Sequence, residues 1–184
     1  QEISYDHIPK QYLVQPAVSR AVALDLNTGV EKVAYINGAG DNVAESLSAV
    51  GVTIKKFDAG SITLEKLQPY DAVVVGIRAF NVDESLSYKN KVLWDYVSQG
   101  GNLLLQYNTS RGLKTRAVTP LDLRLSRDRV TDEKAKVKLL NPNHPLLNYP
   151  NKISLKDFEG WVQERGLYFP NQWDDAFTPL FEMN

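Results

Sequence analysis

The chain has 184 residues, 43% of them hydrophobic, which is enough for one domain with a sizeable core. Its 21 basic and 22 acidic residues nearly cancel, and a pI near 6.2 excludes the basic excess typical of a nucleic-acid binder. There is no cysteine, so disulfides, thiolate metal sites and cysteine nucleophiles are excluded together, and no apolar run is long enough to span a membrane.

Residues 1–30 mix Pro9, Pro16 and Gly29 with short apolar stretches and read as a linker or wrapping segment, with 21–26 as a candidate edge strand. Beginning at Gln1 without a signal-peptide pattern, the chain reads as a piece of a longer protein. An export signal upstream would make it periplasmic or secreted, the compartment we expect.

From residue 31 to 184 one α/β domain is expected. Lys32 to Ile36 reads as a buried strand, followed by the turn Asn37-Gly38-Ala39-Gly40-Asp41. Val43, Leu47 and Val50 stand at helical spacing, with Gly51 as the stop. Val52 to Phe57 is a second strand, and a short helix around Leu64 to Leu67 leads into Asp71 to Ile77. That run is the most apolar and belongs inside a parallel sheet. A helix is predicted from about Asp83 to Val97, closed by Gly100-Gly101, and Leu103 to Tyr107 is the fourth strand. Strands alternating with helices at this spacing predict an open, doubly wound, mostly parallel sheet of order 2-1-3-4. Past Asn108 the regularity breaks. Residues 108–130 carry Arg111, Lys114, Arg116, Arg124, Arg127 and Arg129 against Asp122 and Asp128. Ala135 to Leu140 reads as a strand, Asn141 to Pro145 as a turn and 155–165 as a helix. Leu167 to Phe169 and Thr178 to Phe181 read as short strands.

Several groups are candidates for chemistry. Gly38-Ala39-Gly40, with Asp58 after the next strand, has part of a dinucleotide fingerprint. Val43 occupies the third small-residue position, however, and Asp41 would cap the helix and repel a phosphate, so a tight turn is the plainer reading. His7 and His144 are far apart, and neither has a second ligand at metal spacing; His144 sits in a turn before Pro145. No serine stands in a G-x-S-x-G elbow. The basic stretch 111–129 leaves the carboxyl edge of the sheet, where open α/β folds bind ligands, and is either a binding loop or a solvated one. Phe158, Trp161, Tyr168, Phe169 and Trp173 form an aromatic cluster, suited to a core or to stacking on sugar rings.

The stretch Asp95-Tyr96-Val97-Ser98-Gln99-Gly100-Gly101-Asn102-Leu103 resembles the helix-to-strand junction of class I glutamine amidotransferase-like domains, including the ThuA-like group. Asn143 to Leu147 resembles their "HP" segment. The segments 35–41, 75–81, 105–108, 125–130 and 160–168, taken in order, resemble the flavodoxin-like domain that follows the catalytic domain in large bacterial PIG-L (LmbE-like) deacetylases. The resemblance covers roughly residues 20–184 and implies further strand material beyond the point matching Asn184. It also implies a parent enzyme whose N-terminal domain, absent here, is a zinc-dependent N-acetyl-sugar deacetylase; no cofactor is expected in this chain itself. The amidotransferase cysteine would fall near Tyr107 or Asn108, and neither side chain can act as a thiolate.

The expected role is therefore that of a non-catalytic accessory domain, partnered with the deacetylase domain of the same parent and either binding a glycan or packing between domains. An independent carbohydrate-active enzyme using sheet-edge carboxylates and arginines, and a purely structural module, are the alternatives. Neither nucleic acid nor a membrane span is expected. In a 2-1-3-4 sheet the strand order reverses between the first and third strands, and the loops there are expected to diverge into a crevice. Gly38, Gly40, Asp41, Arg78, Asn81, Tyr107 and Asn108 would line it, with Arg127 and Arg129 folding over. The plain alternative is an Arg78–Asp41 pair that closes it.

Overall fold

The computed structural model describes residues 2–19, 23, 25–160 and 166–183. Residues 21, 22 and 24 of the candidate edge strand and the 161–165 part of the predicted helix fall outside these residues, and 23, 25 and 26 are not in a strand. Residues 2–12 form an antiparallel hairpin of β1 (Glu2–Tyr5) and β2 (Ile8–Tyr12), exposed at nearly every position.

The centre is a four-stranded, wholly parallel sheet ordered β4-β3-β5-β6. Its strands are β3 (Lys32–Ile36), β4 (Thr53–Phe57), β5 (Ala72–Val75) and β6 (Asn102–Leu105). The register runs Ala34 beside Val73 and Val73 beside Leu103. Side chains alternate between the two faces, so β3, β4 and β5 feed two apolar layers, while β6 feeds one. Ala34, Ile36, Val73 and Val75 point to one face and pack with Phe80, Leu86 and Leu93. Val33, Tyr35 and Val74 point to the other and pack with Ala44 and Val52.

The helices follow from local signals. α1 (Val43–Ala49) stops where Gly51 turns left-handed at φ +94. α2 (Leu64–Leu67) is capped by Thr63, whose hydroxyl accepts the Lys66 N–H at 3.3 Å. The helix predicted from Asp83 begins later, as α4 (Leu86–Ser98), after a separate turn, α3 (Ala79–Val82). Asp83 is extended, and its carboxylate accepts the Ser85 N–H at 2.8 Å, a local bond that competes with helix and divides the two.

Beyond β6 the chain runs without helix to β7 (Leu123–Leu125) and β8 (Arg129–Val130). These pair antiparallel with β11 (Pro170–Trp173) and β10 (Gly166–Leu167) respectively. Bonds from Ser126 N–H to the Phe169 carbonyl and from Tyr168 N–H to the Asp128 carbonyl join the two short ladders into one ribbon. β9 (Val137–Leu139) lies inside the first strand predicted here and pairs with β12 (Phe181–Met183), which begins at the last residue of the second. Residues 155–158 are a 3₁₀ turn. Among the described residues no helix is long and apolar enough to cross a membrane.

Candidate functional site

At the carboxyl edge of the sheet the β3 and β5 loops meet instead of diverging. A Cβ on Gly38 would lie 2.3 Å from the Ile77 carbonyl oxygen and 2.7 Å from the Gly76 carbonyl carbon. The approach is fixed by Ala39 N–H to the Ile77 carbonyl at 2.7 Å and Gly76 N–H to the Ile36 carbonyl at 2.8 Å.

Asp41 completes this closure. Its carboxylate accepts the Tyr35 hydroxyl at 2.6 and 2.7 Å and the Val43 N–H at 2.8 Å. The Ile77 N–H at 3.2 Å and the Gln106 amide at 3.4 Å also donate to it. Burial alone would raise its pKa, but these donors outweigh burial and hold the carboxyl below its usual range. Burial, and then the bond to Asp41, push Tyr35 well above the usual tyrosine range, so its hydroxyl stays a donor. Arg78 is not among the partners of Asp41; the crevice is shut by backbone and a tyrosine.

Arg78 itself sits in the left-handed region at φ 54, ψ 23, with its N–H on the Tyr107 carbonyl at 2.9 Å. For a residue with a Cβ that conformation costs about 1–2 kcal/mol. Arg78→Gly is expected to raise stability by about 0.5–1 kcal/mol after the entropy of glycine in the unfolded chain is counted. A urea melt checks this. Titrating the same variant with a glycan reads whether the Arg78 side chain holds ligand.

Asn81 and Asn108 are buried and their amides are committed. Asn81 accepts the Thr109 N–H at 2.9 Å and donates to the Thr109 and Arg111 carbonyls. Asn108 accepts the Phe80 N–H at 3.1 Å and donates to the Gln106 carbonyl at 3.0 Å. They fasten the start of the 108–122 loop to α3.

The open space lies one strand further along. A cleft of about 750 Å³ runs between the end of β6 and the 123–130/166–173 ribbon. Gln106, Tyr107, Asn108 and Tyr168 give it polar groups, while Ile77, Leu105, Leu123 and Phe169 make its walls apolar. The Tyr107 and Tyr168 rings stack with centroids 6.3 Å apart and planes 20° apart. Gln106 donates its amide to the Tyr35 hydroxyl at 2.9 Å, which fixes the side chain from behind. A second cleft, of about 660 Å³, lies along β7 and shares Val118, Leu123 and Leu125 with the first.

The structure thus splits the residues singled out in the sequence. Tyr107 and Asn108 line the first cleft, and Arg127 lines the second. Gly38, Gly40, Asp41, Arg78 and Asn81 line neither, and Arg129 lies in β8 beside Leu167. The aromatic cluster is dispersed. Tyr168 faces Tyr107, Phe169 packs on Gly166, Phe158 meets Phe181 edge-on at 5.4 Å, and Trp173 is 43% exposed. Trp161 lies outside the described residues. His144 caps a turn, its Nδ1 accepting the Leu146 N–H at 3.3 Å. Nothing in the sequence singles out Gln106; its partners Tyr35 and Asp41 are some seventy residues away, and no local pattern announces them.

No family model matches the chain, and no curated protein matches it significantly. Among solved structures, the chain is similar to a candidate GMP synthase subunit from Thermoplasma acidophilum, at 16% identity and a TM-score of 0.49, over 85% of this chain and 75% of that one.

Proposed function

We infer that the chain is a non-catalytic, glycan-binding module of the open, doubly wound, amidotransferase-like type, the accessory domain of a PIG-L-like N-acetyl-sugar deacetylase. The sheet order β4-β3-β5-β6 and apolar layers on both of its faces support the fold reading. The observation that carries the function is the first cleft, where a tyrosine pair and a braced carboxamide share an otherwise apolar wall. Sugar rings have apolar C–H faces that pack on aromatic planes and hydroxyl rims that need amide partners. The carboxylate a catalytic reading would use, Asp41, is spent on four neighbours, which favours binding over turnover. The module needs no cofactor of its own in this reading, and zinc belongs to the deacetylase domain.

Removing a stacking ring should be felt directly. Tyr168→Ala is expected to weaken binding of an N-acetylglucosamine oligomer by about tenfold, the equivalent of ~1.4 kcal/mol. Calorimetric titration reads it; unchanged affinity in a folded variant would remove the cleft from consideration. A second reading, packing against the deacetylase domain, is favoured by Leu104, which is 55% exposed on the face of edge strand β6 opposite Leu103 and Leu105.

A further inference from the structure

We propose that the second cleft makes this module selective for acidic glycans, holding the carboxylate of a uronic acid residue while the neighbouring sugar rests on the tyrosines; this rests on the glycan reading above. Arg111, Arg116, Arg124 and Arg127 all line this cleft, and Asp128 is the single acidic residue lining it with them. None of the four makes a side-chain hydrogen bond or ion pair with another described residue. Elsewhere lysines do find partners, as in Lys91–Asp95 at 2.8 Å, Lys138–Glu182 at 3.0 Å and Lys114–Glu84 at 3.3 Å. In a chain of net charge −1, four arginines lining one cleft with no side-chain partner among the described residues are a local excess that composition does not explain.

Ser110, which also lines this cleft, supplies an independent observation. Ser110 Oγ is buried, and among the described residues it has no hydrogen-bond partner. A buried hydroxyl without a partner is costly, and an oxyanion in the cleft would accept its proton. Guanidinium forks match a carboxylate in pairs, a geometry lysine lacks. The two clefts adjoin through Val118, Leu123 and Leu125, so one oligosaccharide can span both, with a neutral ring on Tyr107 and Tyr168 and an acidic group among the arginines.

Oligomers of galacturonic and of glucuronic acid, each beside its uncharged methyl ester, separate charge from sugar shape. By calorimetry at low ionic strength the acid form of at least one is expected to bind about tenfold tighter than its ester, and added salt should erode the preference. Arg116→Ala/Arg124→Ala changes exposed side chains only, keeps the circular dichroism of the native fold, and should bring acid and ester to parity. Equal binding of acid and ester by the native chain overturns the proposal and leaves the glycan reading standing. Binding of neither acid nor ester overturns the proposal, and overturns the glycan reading as well where the N-acetylglucosamine oligomer also fails to bind. A preference that survives the double substitution, or polyglutamate binding as tightly as the uronates, also overturns it.

Discussion

Gly38→Ala is expected to destabilise the domain by about 3–4 kcal/mol, a large share of the stability of a domain this size. The added methyl would stand 2.3 Å from the Ile77 oxygen and 2.7 Å from the Gly76 carbon, and both are backbone atoms held in place. No rotamer change relieves such a contact. The ends of β3 and β5 must move apart, and the Ala39–Ile77 and Gly76–Ile36 bonds lengthen with them. Gly29→Ala is the matched control, because the nearest atom to its new methyl would be Pro150 Cγ, at 3.4 Å. That change should fall within about 0.5 kcal/mol of native. Urea midpoints for the two variants decide the matter; similar midpoints would mean that the loop contact is soft.

Asp41→Ala is expected to cost about 2–4 kcal/mol, mostly through the groups it strands. The Tyr35 hydroxyl, on a side chain only 4% exposed, loses its acceptor, and so does the Ile77 N–H. Tyr35→Phe removes one of those stranded donors, so Tyr35→Phe/Asp41→Ala should cost clearly less than the sum of the single changes. Acid gives a second readout. The folded carboxyl lies below its ordinary value of 3.8, so it stabilises the fold above that value and loses this effect as pH falls through the folded pKa. The stability gap between native and Asp41→Ala should therefore be constant near neutrality and narrow from about pH 4 downward. A gap independent of pH would contradict the closure described for this carboxylate.

The first half of the chain is legible because each element carries its own signal. Ala72 to Val75 is a continuous apolar run and lies inside the sheet, and Gly51 and Gly100 mark the helix ends with positive φ. The second half carries no such periodicity. β8 and β10 have two residues each, too few for alternation to register, and they pair across more than thirty residues. The candidate site suffers in the same way. Gly38 reads as permissive for a phosphate, but what makes it glycine is the Gly76 backbone, which local sequence does not reveal. Arg78 reads as a ligand-facing cation, yet its left-handed backbone serves the bond to Tyr107. Tyr107 is legible from its place at the end of the fourth predicted strand, whereas its ring partner Tyr168 requires the fold.

The closure at Gly38, Asp41 and Gly76 also divides the molecule into a stiff wall and a pliable one. Strands β3, β5 and β6 are laced together at their carboxyl ends and cannot part to admit a guest. Accommodation falls to the opposite wall, the ribbon 123–130/166–173, built of strands of two to four residues. Tyr168, Arg124 and Arg127 all ride on that ribbon. Exchanging them alters what the module recognises while the laced sheet, which carries most of the core, is left alone. Recognition in such an architecture can diversify quickly without passing through unstable intermediates.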